Sequence, residues 1–282
     1  TCALPISASE TKGTNKVSQG AEPEVEDTGT IITNREKDAS SHTVTIEAKE
    51  KGDKVEVTLK DVNIDTSSTG SAAVSVTGKG DTTIELDGDN ELKSGRSHAG
   101  LEHNKTDTSG KLTIQDKDKN GSLDATGGLR GAGIGGGEAQ NGQVTITGGD
   151  ITATAGSTAS KYQTLGGGAG IGGGDGGAGK GGNGDVEITG GTITATGVYG
   201  AGIGGGRSAD GDVTISGGTI KKAESLSPTN PGGAGIGGGY YGDGRVTITG
   251  DAVIEEAQGG IQSAGIGGGQ GADGVEIGRA SC

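Results

Sequence analysis

The sharpest local chemical signal in the chain is DKDKNGSLD, residues 116–124. It reads D-x-D-x-N-G-x-x-D, the first nine positions of a calcium loop, and calcium needs hard oxygens converging from a short, tightly bent segment. Asp116, Asp118 and Asn120 would offer side-chain oxygens, Ser122 a carbonyl and Asp124 a further ligand, with Gly121 making the turn. Position twelve is Gly127 rather than a bidentate Glu, and no EF-hand helices flank the stretch. The competing reading is therefore a solvated polar hairpin.

A second pattern is GAGIGGG, written at 131–137, 168–174, 200–206 and 233–239, with SAGIGGG at 263–269. Each full copy satisfies G-x-G-x-x-G. A dinucleotide site needs a strand before that string and a helix after it, so that the helix N-terminus faces the pyrophosphate. Here β-patterned segments and Gly-rich turns follow every copy, and no nucleotide is expected. GDGGAGKG (174–181) fails as a phosphate loop, because Gly181 stands where Ser or Thr should bind magnesium.

Tyr199, Tyr240 and Tyr241 flank the glycine string and are the candidates for stacking on a sugar; Tyr162 is the only other aromatic residue. Rows of Thr145/Thr147, Thr192/Thr194, Thr214/Ser216 and Thr247/Thr249 are similar to ice-binding faces, interrupted by Glu187, Lys221, Lys222, Glu255 and Glu256. Threonine is also simply a good exposed strand residue. His42, His98 and His103 show no metal spacing. A polysaccharide lyase or hydrolase would need a carboxylate cluster with a basic residue, or two carboxylates, on one strand face. Away from the C-terminal end, Arg is limited to Arg35, Arg96, Arg130, Arg207 and Arg245, and only Arg207 lies near a carboxylate-rich turn (Asp210, Asp212). No enzyme is expected.

What positions these residues is a repeat. VTITGGDITATA (144–155), VEITGGTITATG (186–197), VTISGGTIKKA (213–223) and VTITGDAVIEEA (246–257) align, each followed by a variable stretch and then AGIGGG. Weaker copies begin at Leu112, Thr82 and Val57, with HAGLE (98–102) and AAVSV (72–76) where AGIGG stands later. That makes seven units, and an eighth begins at Val275. Within each unit apolar residues alternate with period two, which marks strands. Three short strands per coil describe an all-β, right-handed parallel β-helix of seven to eight coils. Asn141-Gly142, Asn183-Gly184, Asp210-Gly211 and Asp243-Gly244 are expected to turn corners through a positive φ. If Ala and Ile of AGIGGG face inward, Gly133/Gly135 and their equivalents face out. Either another backbone or flat polymer approaches there, or the corner forbids a Cβ.

Composition agrees. The chain of 282 residues holds 65 Gly and no Phe, Trp or Met, so a core of large aromatics is excluded. A net charge of −14 disfavours nucleic acid or anionic membrane as partner. No apolar run approaches the ~20 residues that span a bilayer.

Strand, Gly-Gly, strand and GAGIGGG together resemble the Gly-rich solenoid repeats of large bacterial cell-surface proteins, a carbohydrate-binding-domain-like family. The run from VTLKDVNIDTSSTG through TIELDGDNELKSG to GSLDATGG resembles their leader coils. The resemblance covers roughly 43–275 and implies an extracellular, non-catalytic surface module, acting as spacer or adhesive stalk with weak multivalent glycan or partner contacts. A dedicated carbohydrate-binding module is the alternative. Residues 7–42 read as a polar linker or irregular first coil. Residues 1–6 and 277–282 back-translate to common sequencing-library adapters and are expected to be read-through; they hold both cysteines, Cys2 and Cys282, so disulfide arguments do not apply.

Overall fold

A chain whose inward residues alternate with outward ones can stack on itself only if each coil places its apolar residue directly over the last. The computed structural model describes residues 3–6, 14–19, 30–34, 38–159, 164–177, 179–227 and 232–278, and among these it does just that. Three parallel sheets run along the molecule, and there is no helix among the described residues. The chain visits them in turn. From Gly142–Ile146 in a first sheet of ten strands it passes to Asp150–Gly156 in a second, then to Ile171–Gly172 in a third, before re-entering the first at Gly184–Ile188. About eight such turns form a parallel β-solenoid.

The core is built of stacked aliphatic columns, at least one on each sheet. Val57, Ile84, Ile114, Ile146, Ile188 and Ile215 stack in the first sheet, each fully buried. Leu92, Ala125, Ala153, Ala195 and Ala223 stack in the second, and Val74, Leu101, Ile134, Ile171, Ile203 and Ile236 in the third. Burying each large aliphatic side chain contributes about 1.5–3 kcal/mol, and identical residues on adjacent coils fill a narrow interior without an aromatic ring.

Three expectations are corrected. The coil expected to start at Val57 starts at Lys54, since Val55 pairs with Thr82 and Val57 with Ile84; a shift of two residues keeps the same face inward. Val275 pairs with Arg245 rather than Val246, because the Asp273-Gly274 corner is one residue short, and this single-residue slip leaves Val275 57% exposed. Finally, Gly142, Gly184, Gly211 and Gly244 do not have positive φ. They are glycines because a Cβ on any of them would sit 1.8–2.0 Å from a carbonyl oxygen of the next coil. The left-handed corner residues are instead the second glycines of the Gly-Gly pairs, Gly149 (φ 97°), Gly191 (87°) and Gly218 (78°).

Within 1–42, Ala3–Ile6 pairs in parallel with Ile31–Asn34, and Thr14–Gln19 with Thr43–Ala48. Cys2, Arg35, Tyr162 and residues 279–282, Cys282 among them, lie outside the described residues.

Candidate functional site

The loop 116–124 is held closed by its own groups. Asp116 Oδ1 accepts the backbone N–H of Asn120 at 3.2 Å and Asp116 Oδ2 that of Gly121 at 3.1 Å, while Lys119 takes a left-handed φ of 58°. The Ser122 carbonyl, expected to face a cation, accepts Asn90 Nδ2 at 3.0 Å, and Ser122 Oγ donates to Asp89 at 2.9 Å. Asp118 is exposed. Asp124 lies further along, in the strand Ser122–Leu129, opposite Glu91 and Thr152. Burial and the Glu91 charge push its carboxyl up from the usual value, with the Lys93 ammonium opposing. The loop thus brings Asp116 and Asn120 together in one turn and leaves Asp124 in the next strand. Among the described residues no three His, Cys, Asp or Glu side chains are grouped as metal ligands.

The glycine string answers its own question. Gly135, Gly172, Gly204 and Gly237 have φ of 124–132°, and a Cβ on each would lie 2.0–2.2 Å from the carbonyl oxygen of the equivalent glycine one coil on. Gly133, Gly170, Gly202 and Gly235 face the other way, into backbone atoms of the second sheet 2.5–2.6 Å from a Cβ. Both faces of the string are covered by the chain itself, so no partner is needed to explain the glycines.

Beside that string the chain doubles back, and a ladder of side chains runs along the solenoid axis. The residue after each GGG donates its backbone N–H to a carbonyl one coil before: Glu138 to Ser97 (2.8 Å), Asp175 to Arg130 (2.8 Å), Arg207 to Gly167 (3.1 Å) and Tyr240 to Tyr199 (2.9 Å). Their side chains meet in sequence. Glu138 accepts Ser97 Oγ at 2.5 Å and pairs with the Arg130 guanidinium; these contacts, Ser97 first, hold its carboxyl below the usual range. Asp175 is buried, which pushes its carboxyl up, against the Gly177 N–H and the charges of Arg207 and Arg130. The Arg207 guanidinium lies 5.6 Å from the Tyr199 ring and 5.9 Å from the Tyr240 ring. Tyr240 and Tyr241 stack at 3.9 Å, and the Tyr241 hydrogen bond, then burial, raises the Tyr240 phenol.

The three expected ligand-binding tyrosines are therefore brought together. Tyr199 is 6% exposed and Tyr240 half-buried between its neighbours, whereas Tyr241 is 58% exposed. Only Tyr241 presents an open ring. An apolar groove of about 580 Å³ lies nearby, lined by Val198, Leu226, Gln258 and Ile261 among others; Leu226 and Ile261 are 47% and 50% exposed. Sequence reasoning missed this ladder and groove. The signal was there: Glu138, Asp175, Arg207, Tyr240 and Gln270 all follow GGG, and a repeat that fixes neighbours must stack the variable residues too.

A second ladder occupies the corner before the first sheet. Asn141, Asn183, Asp210 and Asp243 each accept, through Oδ1, the backbone N–H of the equivalent residue on the next coil at 2.8–3.1 Å. On the first sheet Thr83, Thr113 and Thr145 stack outward, Glu187 interrupts, and Thr214 and Thr247 resume.

A family model described as Beta helix repeat matches residues 119–138, 186–207, 213–240 and 246–270. The last three blocks each run from a first-sheet strand to the residue after GGG, which is one coil without its closing corner. No curated protein and no solved structure matches the chain. The molecule is a parallel β-solenoid whose later coils are similar to beta-helix repeats.

Proposed function

We propose that the chain is a non-catalytic, extracellular surface module, serving as a rigid spacer or adhesive stalk at a bacterial cell surface. One observation carries this reading: the three sheets stay parallel and aligned through coils of unequal length, the extra residues being taken up at corners or in bulges of the second sheet, at 126–129 and at Lys221. Gly142, Gly184, Gly211 and Gly244 pair in one line although the coils between them differ in length. An array of this kind is stabilised by nearest-neighbour contacts and grows by whole repeats. Removing one coil, 184–210, joins Asn183 to Gly211 in the same register. The expected result is a folded rod shorter by about 4.8 Å in small-angle scattering; collapse to an irregular particle would overturn the spacer reading.

The second reading, a dedicated carbohydrate-binding module, is favoured by the open Tyr241 ring. Insoluble polysaccharides incubated with the full chain test it. Retention that falls at least tenfold in Tyr241→Ala, about 1.4 kcal/mol, supports a defined site. Retention indifferent to Tyr241 points to weak contact distributed along the rod. Calcium at the 116–124 loop belongs to the same proposal, and running the assay with calcium and with chelator tests it.

A further inference from the structure

The chain contains three Asn-Gly pairs: Asn120-Gly121, Asn141-Gly142 and Asn183-Gly184. Asn-Gly is the dipeptide most open to intramolecular cyclisation, because glycine has no Cβ to block the approach of its nitrogen to the asparagine side chain. In this reaction the Gly backbone nitrogen, having lost its proton to a base, attacks Asn Cγ. The Cγ–Nδ2 bond breaks and ammonia leaves, giving a five-membered succinimide. Water then opens the ring at either carbonyl, forming aspartate or isoaspartate. No oxidant, reductant or other reactant is needed.

The solenoid places the three pairs in different surroundings. At Asn141 and Asn183 both participants are fixed in the lattice. Asn141 Oδ1 accepts from Asn183 N at 2.8 Å, and Gly142 N donates to the Asn183 carbonyl at 2.9 Å. Asn183 Oδ1 accepts from Asp210 N at 3.1 Å, and Gly184 N donates to the Asp210 carbonyl at 2.9 Å. Each glycine is buried, with next-coil backbone 1.9 Å from any added carbon. Cyclisation there must break bonds to the adjacent coil, so it requires local opening of the stack.

Asn120 differs in its corner and in its hydrogen bonds. It is exposed, as Asn141 is, and Gly121 is buried against Leu86, but the pair lies in the longest described corner between the first and second sheets, directly after a left-handed Lys119. Its amide donates only to Asp87 Oδ1, at 3.5 Å, the limit of a hydrogen bond. The Gly121 N–H donates not to a lattice carbonyl but to a side-chain carboxylate, Asp116 Oδ2. An isoaspartate adds one backbone methylene at this position. The loop already carries extra chain here, nine residues from Ile114 to Leu123 against five from Ile146 to Ile151, so the stack on either side is undisturbed.

We propose that Asn120 is the site of succinimide-mediated deamidation in this protein, and that Asn141 and Asn183 are protected by the coil-to-coil lattice. Conversion at Asn120 adds a carboxylate beside Asp116 and Asp118 and removes the donor to Asp87 Oδ1, whose other oxygen remains paired with Lys60.

The test is incubation of the full chain at mildly alkaline pH, followed by peptide mass spectrometry and isoaspartate detection at all three pairs. The same incubation is run in denaturant. In the folded chain, conversion at Asn120 is expected to exceed that at Asn141 and Asn183 by at least about tenfold, the factor that corresponds to 1.4 kcal/mol of local opening. In denaturant all three convert at comparable rates. Asn120→Gln removes the folded-state signal. Equal conversion at the three pairs in the folded chain, or faster conversion at Asn141 or Asn183, would overturn the proposal, as would an inert Asn120 under conditions where the denatured chain reacts.

Discussion

The coils before about residue 110 and those after 131 build the same solenoid by different means. In the earlier coils the third side is a true strand: Thr43–Ala48 and Val74–Gly78 fill it with Val44, Ile46, Val74 and Val76. In the later coils it shrinks to two residues, Ile and Gly, with the remaining glycines packed backbone on backbone. Among the described residues every fully buried leucine, from Leu59 to Leu123, lies before the first AGIGGG. Beyond it the main hydrophobic cluster of the described residues holds only Ile, Val and Ala. Side-chain volume supports the earlier coils and close backbone approach supports the later ones, so the two regions should break in opposite ways.

The largest expected effect follows directly. Gly204→Ala places a Cβ 2.0 Å from the Gly237 carbonyl oxygen at a φ of 131°. Neither the strain nor the clash can be relieved by rotating a side chain, and the cost should exceed about 4 kcal/mol. Gly70→Ala, with nothing within 4 Å, is the control and should change stability by no more than about 0.5 kcal/mol. Thermal unfolding of the two variants checks the comparison. Equal midpoints would mean that the glycine string is not held by backbone contact.

The converse substitution removes volume. Leu101 is fully buried where the earlier coils use side chains to fill the third side. Leu101→Ala should cost about 2–5 kcal/mol through lost burial and the cavity left behind, read from denaturant midpoints. Ala201→Gly, in a coil already built on backbone contact, removes one buried methyl and should cost less, about 1 kcal/mol.

How far this contrast could be read beforehand is instructive. Period-two alternation located the strands, because burial on one face leaves a mark every second residue; Val144, Ile146 and Ile151 are all buried. Register at the two ends was less legible. It depends on corner length, and a missing residue at Asp273-Gly274 turns Val275 outward without altering the local V-x-I pattern. The functional edge was the least legible. Glu138, Arg130, Asp175, Arg207 and Tyr240 carry no common residue type, and only their position after GGG or before GAG links them. The acidic loop gave the opposite difficulty. Its residue types suit a cation, yet two of its oxygen-bearing groups, Asp116 and the Ser122 carbonyl, are already hydrogen-bonded within the fold.

A pH titration sharpens the comparison further, since all three histidines precede the first AGIGGG. His98 Nδ1 lies 2.8 Å from Glu102 Oε2, and that hydrogen bond raises its pKa above the usual 6.5. The stability it contributes is fully present below pH 6.5 and is lost as pH rises through the folded value. His103 is the reverse. Burial lowers its pKa, although the Gln143 and Gly110 carbonyls oppose this, so its contribution is full above 6.5 and falls on acidification. His98→Gln should flatten the alkaline fall and leave the acid fall in place. Hydrogen exchange should place both changes in coils around 98–110 and leave the amides of 200–250 unmoved. A pH response centred in the later coils would contradict the assignment.

The smallest effect concerns the corner ladder of the later coils. Asn141 and Asn183 do the same work as Asp210 and Asp243, each offering one Oδ1 to the next coil's N–H. If the hydrogen bond alone matters, charge is irrelevant, and Asp243→Asn should be neutral within about 0.5 kcal/mol. Asp243→Ala leaves the Asp273 N–H without its acceptor at an exposed corner where water can replace it, so the loss should be only about 0.5–1.5 kcal/mol. The ordering of these two variants is what decides. Asp243→Asn more stable than wild type would mean that carboxylates stacked one coil apart repel measurably, and the exchange of Asn for Asp along the ladder would then be a graded electrostatic cost rather than an equivalence.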